Sequence, residues 1–123
     1  MNTINYSSPG RRSDQEAFDI AARHLLKQGS RSVWGEECVY RAPDGTRCAL
    51  GALIPDEVYD LSLEGTPSVS LYERPDVAPY LPRNKVLATA LQSVHDISFP
   101  DRWRSDLRRV AREFGLNAEV LDE

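Results

Sequence analysis

Apolar residues recur at helical spacing in three parts of the chain. Phe18, Ala21, Ala22 and Leu25 fall on one stripe of a 3.6-residue period and predict a first helix. Ser13 and Glu16 form an S-x-x-E capping box at its start, each side chain satisfying an amide that the helix leaves orphaned, and Gly29 stops it. Val86, Leu87, Ala90, Leu91 and Val94 repeat the pattern behind Asn84, a good N-cap, and this helix should end near Asp96. Pro100 and Asp101 open a final helix with the stripe Trp103, Leu107, Val110, Ala111 and Phe114, closed by a Schellman-type Gly115 and Leu116.

The segments between these stripes follow other rules. Residues 37–41 and 46–49 flank Ala42-Pro43-Asp44-Gly45, where Pro43 presets a turn and Gly45 accepts positive φ, so a β-hairpin is expected. Ala49 to Ile54 is a short apolar run that fits a buried helical turn, and Pro55 followed by Asp56 and Glu57 suggests that another short helix begins there. Residues 61–83 carry Pro67, Pro75, Pro79 and Pro82, which exclude long helices and leave a structured loop or short turns. Residues 1–12 are polar and lack periodicity, so they read as a flexible lead-in to one compact domain over 13–123. The expected class is α+β, mainly helical: an N-terminal helix, one β-hairpin, short helices and two longer C-terminal helices.

Charge and cysteine usage narrow the chemistry. The net charge of −4 argues against nucleic acid or an anionic membrane as partner and favours another protein with a basic surface. No apolar run suits a secretory signal or a membrane span, so the expected location is cytoplasmic, where thiols stay reduced. With a bulge at Gly45, Ala42 pairs with Thr46 and Tyr40 lies opposite Cys48. Cys38 and Cys48 are then diagonal neighbours roughly 7–8 Å apart, at or beyond the reach of a relaxed disulfide. In this register Tyr40 and both thiols face the helices, Arg41 and Arg47 face outward, and the cysteines act as small apolar side chains.

Two chemical alternatives use the same residues. A thiol-dependent enzyme would take Cys48 as nucleophile, at a strand end where amide dipoles lower its pKa, with His95 as base and Asp96 orienting it. A metal protein would take Cys38, Cys48 and His95, joined by Asp96, with His24 a weaker alternative, although the C-x9-C spacing matches no common zinc module. Against both, His95 lies near a helix end, where an imidazole interacts well with free carbonyls. The final helix carries Arg102, Arg104, Arg108, Arg109 and Arg112, but Asp101, Asp106 and Glu113 are interspersed and the better reading is a solvated face. No catalytic residue, metal or cofactor is therefore assigned. The favoured function is a protein-binding module whose contacts lie in the proline-dense segment, at Glu64, Tyr72, Glu73, Asp76 and Tyr80.

The elements C-x-Y-R, D-G, C-A-x-G-x-L-I and P-D-E-x-Y between Cys38 and Tyr59 carry a resemblance, together with Leu91, Gln92, His95, Asp96 and the Trp103 helix. Over about residues 16–116 the chain resembles a group of small bacterial and phage-borne proteins. The resemblance implies a bacterial or mobile-element setting, in which small acidic accessory or inhibitor proteins work by binding another protein. It carries no activity and no catalytic assignment.

Overall fold

The structure, a computed structural model, describes residues 12–123. Helix α1 (Asp14–Gln28) has both bonds of the Ser13–Glu16 box, buries Phe18, Ala21, Ala22 and Leu25 together with Ala17, and ends at Gly29 in the left-handed conformation. Helix α2 (Lys85–Ile97) is capped by the Asn84 side chain, and α3 (Trp103–Glu113) packs against both α1 and α2. The Schellman stop is present: Leu116 N–H donates to the Ala111 carbonyl at 2.8 Å, and Gly115 has φ 66°. The α+β, mainly helical class holds, with three α-helices, one antiparallel hairpin and short 3₁₀ turns among the described residues. No described helix is long and apolar enough to cross a membrane. The lead-in expected over residues 1–12 lies outside the described residues, apart from Arg12. That residue is tied down, its amide donating to the Pro79 carbonyl and its guanidinium to the Leu53 carbonyl.

The hairpin ladder forms earlier than expected. Strands β1 (Val33–Trp34) and β2 (Glu37–Cys38) pair antiparallel, with Val33 opposite Cys38 and Trp34 opposite Glu37. Gly35 at φ 67° supplies the left-handed residue that a two-residue hairpin turn requires. The Ala42–Gly45 turn also forms in the expected register, with Ala42 N–H on the Thr46 carbonyl and Cys48 N–H on the Tyr40 carbonyl, but only as an isolated bridge between Arg41 and Arg47. Residues 37–38 are used by the earlier turn, so the chain changes partner at Val39 and the alternation of faces fails there. Tyr40 and Cys48 are buried as expected, whereas Cys38 is exposed. Arg41 does not face outward either: it lies over the Tyr59 ring and donates to the Ile54 carbonyl.

The proline-dense region is part of the core. Its 3₁₀ turns Leu61–Leu63, Ser68–Glu73 and Ala78–Tyr80 place Leu63, Leu71, Val77 and Leu81 in the same buried cluster as the helix stripes. The short helix expected at Pro55 is a single turn, with Val58 and Tyr59 N–H on the Pro55 carbonyl. Val120 and Leu121, in an acidic tail, are buried through a last 3₁₀ turn (Glu119–Asp122) that packs on α1 and α3.

Candidate functional site

The C-terminal half of α2 and the hairpin meet around a polar cluster. Gln92, His95 and Asp96 lie at i, i+3 and i+4 and therefore share one side of the helix. His95 is fully buried and stacks on Trp103, ring centroids 5.7 Å apart at 27°, while Asp96 on the helix edge is exposed. The hairpin reaches this cluster at both ends. Ser32 N–H donates to His95 Nε2 at 2.9 Å, and the Cys38 thiol lies within 4.8 Å of the Asp96 carboxylate. Ligand atoms of Cys38, His95 and Asp96 all lie within 4.8 Å of one another.

The proton positions decide what this cluster does. Because a backbone amide can only donate, Nε2 is the imidazole's acceptor, and the ring proton sits on Nδ1, from which it is donated to Asp96 Oδ1 at 2.7 Å. Gln92 Nε2 adds a second donor to Oδ1 at 3.2 Å. Neither imidazole nitrogen has a lone pair left to take a proton from a thiol. A metal on Nδ1 would force the ring proton onto Nε2, head-on against the Ser32 amide. The order along the cluster is thiol, carboxylate, imidazole, not the thiol, imidazole, carboxylate order of an activated nucleophile.

The thiols are tuned the same way. Burial, then the Asp96 charge and hydrogen bond, push Cys38 above the ordinary thiol range. Cys48 lies outside the three-residue cluster, has no exposed surface, accepts from Gly51 N–H at 3.3 Å, and is pushed up by burial to about 12. Thiolate is thus suppressed at both positions. Iodoacetamide at mildly alkaline pH is expected to modify Cys38 alone in the native protein, more slowly than a free thiol, and Cys48 only after unfolding. Below pH about 9 Cys48 is protonated in both states; above it the unfolded chain releases the proton first. Stability should therefore fall as pH rises from about 9 towards about 12. Urea midpoints measured across that window should fall less steeply for Cys48→Ala; equal slopes would show that the thiol is not held protonated.

The residues expected to bind a partner occupy different situations. Glu64 faces inward: Oε1 accepts from Tyr40 N–H at 2.9 Å, and Oε2 accepts from Arg41 N–H at 3.0 Å and the Tyr59 hydroxyl at 2.6 Å. Tyr72 is half-buried, donates to the Pro82 carbonyl and lies under Lys85; Tyr80 is half-buried under Arg12. Glu73 and Asp76 are exposed, Asp76 in an ion pair with Arg74 at 3.2 Å.

Of the large exposed apolar side chains among the described residues, Leu61 and Val69 lie singly in the proline-dense segment and Val86 at the start of α2, while four gather at the hairpin and the elbow. Trp34 is 62% exposed at the hairpin, with Val33 beside it, and Ile97 and Phe99 are 75% and 68% exposed at the α2–α3 elbow. Arg31 joins the two segments, donating to the Ile97 and Ser98 carbonyls and lying over the Phe99 ring at 5.3 Å. The sequence marks two of them, Trp34 just before a glycine and Phe99 just before a proline, whereas Ile97, at i+3 from Val94, reads as part of the α2 stripe and is exposed only because the helix ends there. No family model, curated protein or solved structure matches the chain.

Proposed function

We propose that this chain is a non-enzymatic recognition module that acts by capturing another protein, and that its contact surface is the Trp34 hairpin together with the Ile97–Phe99 elbow. The observation that carries this reading is the exposure of Trp34 and Phe99 on two segments that the fold tethers to each other. Exposed aromatics on a rigid support are the usual anchors of an interface, since little conformational entropy remains to be lost on binding. The polar cluster supports the reading from the other side: the Ser32–His95 bond holds the hairpin against α2 with Cys38 beside Asp96, and its proton arrangement suits a brace better than a reaction.

Replacing Trp34 and Phe99 together with serine tests the proposal. Both side chains point to solvent, so stability should stay within about 0.5 kcal/mol of the parent. A partner recovered with the parent chain and reconstituted as a purified pair should bind the double variant at least about 30-fold more weakly. Unchanged affinity in that pair, or loss caused instead by charge reversal at Glu73 and Asp76, would reject this surface.

A further inference from the structure

Beside the apolar surface lies a cleft of about 280 Å³ between β2 and the turn at residues 64–68. Its walls include Cys38, Val39, Glu64, Pro67, Gln92 and Asp96. Two carboxylates line it and no lysine, arginine or histidine does. Val39, Tyr40 and Pro67 add apolar wall, suited to the alkyl stem of a long cationic side chain. Cleft and apolar surface share their supports. Cys38 in the cleft wall pairs with Val33 of the surface, and Asp96 in the cleft precedes the exposed Ile97. The surroundings are mixed in sign: Glu36, Glu37 and Asp101 are exposed around the hairpin and the elbow, as is Arg102, while Arg31 holds its guanidinium on carbonyls and over Phe99, so the acidic character lies in the cleft itself.

From this charge complementarity we infer that the partner segment is a peptide strand or loop of another protein. It presents an apolar anchor to Trp34 and Phe99 and, close to it in sequence, a lysine or arginine that enters the cleft towards Asp96. The inference rests on the recognition reading above and adds the chemistry of the occupant. Asp96 suits the role: it is exposed, its position is fixed by His95 and Gln92, and most of the described hydrogen bonds to it fall on Oδ1. Glu64 contributes charge at the far wall while its oxygens serve the Tyr40 and Arg41 amides.

The test is selection from a displayed library of random linear peptides on the full chain, followed by fluorescence polarisation with the synthesised winners. Winners should carry an aromatic or aliphatic anchor next to lysine or arginine, and their affinity should fall as salt is raised. Trp34→Ser should abolish binding, and Asp96→Asn, which keeps an oxygen for the His95 proton, should weaken it by about tenfold or more. A circular-dichroism melt of Asp96→Asn close to the parent's confirms that the loss is electrostatic. If Asp96→Asn melts early, replacing the cationic residue of the peptide with its neutral isostere gives the same reading on the parent protein. Winners that need Trp34 but lack a cationic residue, or ignore its neutralisation, overturn this inference and leave the recognition reading standing. No winner dependent on Trp34 overturns both. Trp34-dependent self-association in sedimentation would make a second copy of the chain the occupant and also overturn it.

Discussion

Gly51→Ala is expected to destabilise the protein by about 3 kcal/mol, although it adds a single methyl group. A Cβ at this position would lie 2.0 Å from the Tyr40 carbonyl oxygen and 2.8 Å from its carbon, far inside contact distance. Neither side has room to retreat. The Tyr40 carbonyl accepts from Cys48 N–H, its amide is held by Glu64, and its hydroxyl donates to the Thr66 carbonyl. Gly51 itself donates to Cys48 Sγ at the start of the buried 3₁₀ turn Gly51–Leu53. The methyl must therefore push the backbone at Tyr40 away from the core or unwind that turn. Thermal denaturation should show a fall in Tm on the order of 10 °C. Gly45→Ala is the control, since its Cβ would meet nothing within 4 Å and only the cost of φ 93° remains. Equal melting of the two variants would mean that the close approach is absent in solution.

The contrast between these glycines shows where sequence reasoning stops. Gly29, Gly45 and Gly115 are legible because turns and helix ends are local, and the three helix stripes are legible because a period of 3.6 residues needs no knowledge of the partner surface. Gly51 is a glycine because of the Tyr40 backbone eleven residues earlier, and no local pattern announces that. Leu63, Leu71, Val77 and Leu81 obey neither helix nor strand period, since they come from three separate short turns, with Val77 and Leu81 flanking the last, so a segment read as a functional loop is also core. The hairpin shifted because two turn signals, Gly35 and Pro43-Asp44-Gly45, compete for the residues between them, and both turns form. That competition also decided the cysteines. The sequence grouped His95 and Asp96 with Cys48 in the thiol reading and with both cysteines in the metal reading; a change of strand partner at Val39 sends Cys38 to the helix edge beside them and leaves Cys48 inside.

His95→Ala should cost about 3 kcal/mol, chiefly through a brace rather than through lost chemistry. The substitution leaves a void against Trp103, strips the Ser32 amide of its buried acceptor, and removes one of the two side chains that fix Asp96 Oδ1. An unsatisfied buried amide alone costs about 1–3 kcal/mol, and truncating a large buried side chain adds a cavity term of similar size. His95→Gln separates these contributions, because its terminal oxygen can reach roughly where Nε2 sits and accept from Ser32 while the ring contact with Trp103 is still lost. Urea unfolding should therefore rank the parent above Gln and Gln above Ala. Hydrogen exchange should show the Ser32 amide losing protection in the alanine variant and recovering part of it in the glutamine variant. The recognition hairpin hangs from this amide at one end, while at the other Cys38 lies beside the Asp96 that His95 fixes, so the alanine variant should also bind less well, in proportion to its loosened hairpin. An alanine variant with parental stability and a protected Ser32 amide, but no binding, would move His95 from the support of the surface to the surface's own chemistry.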